Sequence, residues 1–291
     1  MWYRFFGLQH LPFSPVSDAQ KPLLPTQQVA TQELLERLHE GHRIVLLVGE
    51  NGVGKTTLLA RFAHTMQAER NVIWLPPGSP KDPASLYQSI LFDANLPWYP
   101  VEVTPNPIWE TTCRLRVVEW LLSQSDLARP TLIFAEDVHT WPDSVLREWR
   151  CLIQLNIGAL PAVQVILSAK PQLLERLRER SLSELAESIG YCVWLEPLTT
   201  EQARQHIEQT FAEAGVVADH VIEPAATRLL LEHTQGVIRK LHQAITRALQ
   251  LAHLQQTKPI RLIHAYAALQ ELGFVDSEEE SLVSAAKSSA A

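Results

Sequence analysis

Cysteine is scarce in this sequence: three residues in 291, at 113, 151 and 192. They are odd in number, widely scattered and lack metal-ligand spacing. That excludes a disulfide framework and a thiolate metal site, and predicts buried free thiols in a reducing, cytosolic compartment. Long hydrophobic runs are also missing. Stretches such as Ile44 to Val48 are strand-sized, far short of the roughly 20 apolar residues of a membrane helix. The start, Met1-Trp2-Tyr3-Arg4-Phe5-Phe6, lacks the apolar h-region and small-residue cleavage site of a secretory leader. Positive charge is in short supply, with 25 Lys and Arg against 32 Asp and Glu, a net charge of −7 and a pI near 5.9. Such a balance argues against a surface that grips nucleic acid everywhere, while leaving room for a local basic patch. What is present, 46% hydrophobic and 20% charged residues, is the composition of a soluble globular chain with a well-buried core.

Residues 1–25 are rich in Pro and aromatics and read as an irregular strap. Gln27 to Glu40 carries Val29, Leu34, Leu35 and Leu38 at helical spacing, with Gly41 as a stop. Ile44 to Val48 is a continuous apolar run of the kind buried on both faces of a parallel sheet. A helix follows Gly54 to about Glu69, then a short strand, Asn71 to Leu75, closed by Pro76-Pro77-Gly78. Helices are expected at 82–94 and 108–124, around a Pro-rich stretch (Pro97, Pro100, Pro105, Pro107). Thr131 to Ala135 and Val163 to Leu167 read as buried strands separated by a helix from near Pro142. A fifth strand fits Tyr191 to Leu195. Alternation of strands with helices predicts an α/β fold with a parallel five-stranded sheet, helices on both faces. Past Pro197 the pattern is helical only, at about 199–214, 223–234, 236–253 and 260–272, with Val237, Leu241, Ala244, Ile245, Ala248 and Ala252 in one stripe. The predicted organisation is a strap at 1–25, an α/β domain at 26–197, a helical lid at 198–274 and a disordered tail at 275–291.

Gly49-Glu50-Asn51-Gly52-Val53-Gly54-Lys55-Thr56 satisfies G-x-x-x-x-G-K-[ST], a string expected by chance in roughly one chain in a hundred of this length. It follows a buried strand and opens a helix, as the motif requires. Its glycines let backbone N–H groups curl around phosphates, and the helix N-terminus adds its positive end. Lys55 is assigned to the β- and γ-phosphates of ATP and the Thr56 hydroxyl to Mg²⁺, with Thr57 completing the cradle. The alternative is a glycine-rich turn with no ligand. An acidic element at the end of a neighbouring strand must hold Mg²⁺ and polarise water. Glu136-Asp137, after Leu132-Ile133-Phe134-Ala135, is the candidate, against the alternative of an ordinary acidic helix start. Its order is the reverse of the usual Asp-Glu. The strand ending in Val165-Ile166-Leu167 delivers Ser168-Ala169-Lys170, where Lys170, and Ser168 second, is placed to sense the γ-phosphate. Arg239, in Gly236-Val237-Ile238-Arg239, is placed to reach the phosphates from the lid. A plain surface lysine and a plain helix arginine are the competing readings.

The order Tyr3-Arg4-Phe5-Phe6-Gly7-Leu8, Pro12-Phe13-Ser14, then the P-loop, resembles the ExeA-like ATPases (general secretion pathway protein A and its pilus-biogenesis relatives). The resemblance continues through Glu136-Asp137-Val138-His139, Leu167 to Pro171, Leu195-Glu196-Pro197-Leu198 and Gly236 to Leu241. It implies an AAA+ core, a helical lid and activity as a homo-oligomer. It also puts Glu136 at the metal-side Asp position and Asp137 at the catalytic Glu position. Relatives commonly carry Gln-Arg where this chain reads Glu187-Ser188, so a trans-acting arginine is missing there, and Arg176, Arg178 and Arg180 are the nearby substitutes. Ile238 stands where relatives often have Pro. ExeA-type proteins typically continue into a membrane helix and a peptidoglycan-binding part, and these 291 residues contain neither. Three functions follow as expectations. The first is a slow ATPase that assembles on ATP to drive or gate an envelope secretion or pilus-type assembly, cytoplasmic and working at the inner face of the membrane through a partner. The others are a DNA-associated helper that recruits a transposase or similar partner, and a non-hydrolysing ATP-loaded scaffold.

Overall fold

The structure is a computed structural model that describes residues 1–13, 22–75, 78–99, 109–126, 130–157 and 160–275. The Pro-rich stretch from Pro100, the strap from Ser14 and the tail from 276 fall outside the described residues. The chain divides into two compact units: Gln27–Glu50 with Lys55–Leu195, and Met1–Thr26 with Asn51–Gly54 and Glu196–Ala291.

The first unit is built on a parallel sheet. In chain order its elements are α1 (Pro25–His39, whose first two residues cluster with the other unit), β1 (Ile44–Val48), α2 (Lys55–Met66), β2 (Asn71–Trp74), α3 (Pro83–Asp93) and α4 (Trp109–Asp126). There follow β3 (Thr131–Ala135), α5 (Asp143–Ile153), β4 (Asn156–Ile157), β5 (Leu160–Pro161), β6 (Val163–Ala169), α6 (Gln172–Arg176), α7 (Ser183–Ser188) and β7 (Ile189–Trp194). Five strands lie in the order β2-β3-β6-β1-β7, and every neighbouring pair is parallel. All residues of β1, β3 and β6 are buried, as their apolar runs require when helices cover both faces. On one face Ile44, Leu46, Val48, Ile133, Val165 and Leu167 join the core with residues of α3, α4, α5 and α7. On the other, Phe62 of α2 meets Phe134 of β3 edge to face, and the Gln164 amide donates to Leu38 O at the end of α1.

Several details depart from the sequence reading. Strand β6 runs on through Ser168 and Ala169, because the serine is small enough to be buried at 1% exposure. A two-residue hairpin, β4–β5, and the short helices α6 and α7 fill stretches too short to show a period. The cysteines are not uniformly buried: Cys113 is, Cys192 is half-buried and Cys151 is exposed. On α5 the inward side chains are Val145, Leu146, Trp149, Leu152 and Ile153, which turns Cys151 outward.

In the second unit the core holds four helices, α8 (Thr200–Glu213), α9 (Pro224–Thr234), α10 (Ile238–Leu254) and α11 (Leu262–Glu271). A reciprocal capping box between Thr199 and Gln202 starts α8. The expected apolar stripe of α10 is buried. The strap is more ordered than its composition suggests. Trp2–Phe6 forms a 3₁₀ turn, and Phe6, Leu8 and Phe13 enter the same core as Phe211, Leu241 and Ile245. Val275, expected in the tail, is buried there too.

Candidate functional site

Three adjacent strands, β3, β6 and β1, bring their C-terminal ends side by side, the place where open α/β sheets bind ligands. The loop Gly49 to Gly54 leaves β1. Gly49 N–H donates to Ala169 O at 3.2 Å, tying the loop to the end of β6. Gly52 and Gly54 have φ of 86° and 101°, a left-handed conformation that glycine adopts without steric cost. Glu50 and Asn51 are exposed and Val53 is buried.

Lys55 opens α2 and is buried at 7% exposure. Its ammonium donates to Gly49 O at 2.8 Å and Glu50 O at 3.0 Å. Burial pushes its pKa below the usual lysine value, against the pull of Asp137 and Glu50. A buried cation curled onto carbonyls is one that a polyphosphate can take over. The first turn of α2 carries no acidic residue, so no carboxylate there opposes the positive end of the helix, and Thr56 and Thr57 are exposed on it.

The Thr56 hydroxyl donates to Glu136 Oε2 in a short contact. Burial raises the Glu136 pKa, Asp137 adds to it, and the Thr56 hydrogen bond and Lys55 oppose it. Asp137 differs from its neighbour: its side chain is 66% exposed and its φ is 52°. It precedes a 3₁₀ turn, Val138–Thr140, and its carbonyl accepts from Thr140 N at 2.9 Å and Thr140 Oγ1 at 2.8 Å. Aspartate tolerates that backbone better than longer side chains. His139 Nδ1, buried without a hydrogen-bond partner, lies 3.9 Å from Asp137 Oδ1. Burial, with Lys170, Lys55 and Arg176, keeps this imidazole below the usual histidine pKa, against the pull of Asp137.

Of the two candidates after β6, Ser168 is sealed in the strand opposite Leu47, its hydroxyl without a partner. Lys170 lies just past the strand end, half-buried, and its charge lowers the pKa of both Lys55 and His139. In the helical unit, Arg239 N–H donates to Gly52 O at 3.1 Å, while its side chain is exposed. Sequence reasoning passed over His139 as a functional group; the guanidinium of Arg176, one of three arginines offered as substitutes, is engaged within its own unit.

The described residues hold no group of three or more His, Cys, Asp or Glu able to bind a metal by themselves. Mg²⁺ brought by a nucleotide needs no such group, since it takes one or two protein oxygens and keeps phosphate and water ligands. The touching Thr56 hydroxyl and Glu136 carboxylate are the oxygens of the right kind. No helix among the described residues is long and apolar enough to cross a membrane.

The family model of the AAA domain matches residues 37–177. General secretion pathway protein A of Aeromonas hydrophila is 26% identical over 253 residues, 86% of this chain and 44% of that protein, so the chain spans under half of that relative. Among solved structures, Cdc6p from Pyrobaculum aerophilum superposes with a TM-score of 0.69 at 15% identity, covering 92% of this chain and 72% of that one. The Aeropyrum pernix ORC1 protein, solved in complex with DNA, gives 0.61 at 20% identity over 87% and 67%. The Thermotoga maritima RuvB Holliday junction branch migration motor gives 0.52 at 16% identity over 89% and 74%. These structural likenesses establish the fold.

Proposed function

We propose that this chain is an ExeA-like AAA+ protein, a slow ATPase that assembles on ATP to drive or gate an envelope assembly of the secretion or pilus type. The observation that carries the ATPase reading is the meeting of Thr56 with Glu136 beside Lys55, past the ends of β1 and β3, the two strands that flank β6. In this reading the N–H groups of Gly49 to Thr57 and the Lys55 ammonium bind the triphosphate. Thr56 and Glu136 hold Mg²⁺, which when bound neutralises charge developing on the phosphates. Asp137 orients the attacking water, Lys170 reads the γ-phosphate, and Arg239 contributes from the helical unit. Hydrolysis is slow because Asp137 is one methylene shorter than a glutamate. Its carboxylate then stands about 1 Å from the water-polarising position, a misplacement that can cost on the order of 10²-fold. The envelope role rests on the resemblance to general secretion pathway protein A, and with it a cytoplasmic place at the inner face of a membrane. The structural likeness to a DNA-bound ORC1 and to a branch-migration motor supports the DNA-associated helper as the second reading.

The test is nucleotide titration and sedimentation at micromolar protein. Lys55→Ala should lose most Mg-ATP affinity while keeping the fold. ATP should drive assembly that ADP does not, and Arg239→Ala should weaken that assembly more than ADP binding. Unchanged affinity in Lys55→Ala removes the site assignment, and equal sedimentation in both nucleotides removes the assembly. ATPase stimulation by duplex DNA would favour the second reading.

A further inference from the structure

We infer that Arg176 is a positioning residue for hydrolysis, holding in cis the turn that carries Asp137 and His139, an inference that rests on the ATPase reading above. The sequence offers Arg176 as a substitute for a missing trans-acting arginine. Its surroundings assign it elsewhere. One nitrogen, Nη1, donates to His139 O at 2.6 Å, and Nη2 donates to Trp141 O at 2.8 Å and to Asp143 Oδ1 at 2.5 Å. Ser181 Oγ holds the other oxygen of Asp143 at 2.9 Å, so the carboxylate is fixed from two sides. Three acceptors within five residues are gathered by one planar guanidinium, a geometry that lysine's single ammonium cannot copy.

The held segment begins directly after the acidic pair. Asp137 leaves β3 with φ of 52°, the 3₁₀ turn follows, and the turn's outgoing carbonyls at 139 and 141 are those that Arg176 takes up. A left-handed residue persists where its surroundings over-determine it. Arg176 supplies that constraint from α6, which follows Lys170 by way of Pro171, with Leu173 N donating back to Lys170 O at 3.1 Å. The end of β6 and the acidic turn after β3 are therefore linked through one side chain. The same bond fixes the residue that presents His139 Nδ1, 3.9 Å from Asp137 Oδ1 and about 1 Å short of a hydrogen bond. Closing that gap would orient the short aspartate. Drawing Arg176 out to a neighbouring subunit would leave both carbonyls unpaired. The exposed Arg178 and Arg180 remain free for that task.

The test is Arg176→Met and Arg176→Lys in the full chain, with Arg150→Met, which removes the surface pair with Glu184, as the control. Displacing the turn by about 1 Å should lower kcat on the order of 10²-fold in Arg176→Met, with a smaller loss in Arg176→Lys, which keeps one bond. Mg-ATP affinity should stay within about threefold, since the phosphate cradle is untouched. Arg150→Met should keep full kcat. Mixing Arg176→Met with Asp137→Asn, which keeps the phosphate cradle and so still assembles on ATP, separates the two roles. A trans-acting arginine would restore activity in mixed assemblies, because each subunit lends what the other lacks. A positioning residue leaves them inactive. Recovered activity on mixing, a kcat in Arg176→Met equal to wild type, or an affinity loss matching the kcat loss overturns the inference. A wild-type chain without ATPase activity overturns the parent reading, and this inference with it.

Discussion

Exchanging the acidic pair, Glu136→Asp together with Asp137→Glu, should raise the turnover of this chain. On the proposed mechanism Asp137 leaves its carboxylate about 1 Å or more short of where a glutamate would hold water, and adding one methylene recovers roughly that length. With on the order of 10²-fold at stake per ångström, a tenfold or greater gain in kcat is expected even if the new side chain is imperfectly placed. Two costs oppose it. At φ of 52° the backbone of residue 137 suits aspartate, and glutamate there should destabilise the chain by about 1 kcal/mol. At 136 the shorter aspartate withdraws from the Thr56 hydroxyl, a hydrogen bond to a charged acceptor worth about 1.5–3 kcal/mol. That loss falls on the nucleotide-free state; with Mg²⁺ bound, a carboxylate of either length serves the ion, so nucleotide affinity should change little. The single variant Asp137→Glu keeps the Thr56 contact and should show the kcat gain by itself. Steady-state Mg-ATP hydrolysis gives kcat, and calorimetric titration with a non-hydrolysable ATP analogue gives affinity. If kcat is unchanged or lower in both the single and the double variant, the native turn already places Asp137 correctly, and the account of slow hydrolysis is wrong.

The parts of this protein that sequence discloses are those whose cause is local. The P-loop is a contiguous string between a buried strand and a helix, so its residues could be named by spacing, and Thr56 and Glu136 do meet. Strands β1 and β3 are found because two covered faces demand uninterrupted apolar residues. Ser168 shows where that rule misleads: a polar residue reads as the strand's end, yet it lies sealed in the strand. The strap misleads in the opposite sense. Prolines and aromatics suggest irregular chain, but Phe6 and Phe13 are core residues whose partners, such as Phe211, lie some 200 positions away. Cys151 was legible and passed over, since the 3.6-residue period of its helix turns it outward. Arg176 was not legible. It reaches back 33 to 37 residues to two backbone carbonyls and one carboxylate, and carbonyls leave no mark on a sequence.

Two further outcomes follow from burial and backbone geometry. In the native chain one thiol, Cys151, should react quickly with an aromatic disulfide reagent. Burial raises the pKa of Cys113 and pushes Cys192 up to about 11, so both should react only on unfolding; two fast thiols or none would contradict this. Gly236→Ala should be among the most damaging single changes in the helical unit. Its φ is 71°, and an added Cβ would stand 1.8 Å from Leu198 O and 2.8 Å from Leu198 C. Both are backbone atoms that cannot swing aside, and Leu198 N donates to Gly236 O at 3.0 Å, so yielding also breaks a hydrogen bond. The left-handed backbone costs about 1–2 kcal/mol for an L side chain. The lost hydrogen bond adds about 1 kcal/mol. The displaced chain loses packing besides. Gly273→Ala separates these contributions, because Gly273 has φ of 68° with nothing within 4 Å of its added Cβ. It should show the backbone cost alone. Urea denaturation of both variants reads the difference: Gly236→Ala should lose at least about 1 kcal/mol more than Gly273→Ala. Equal losses would mean that the Leu198 segment yields freely and that this close backbone approach does not constrain the unit.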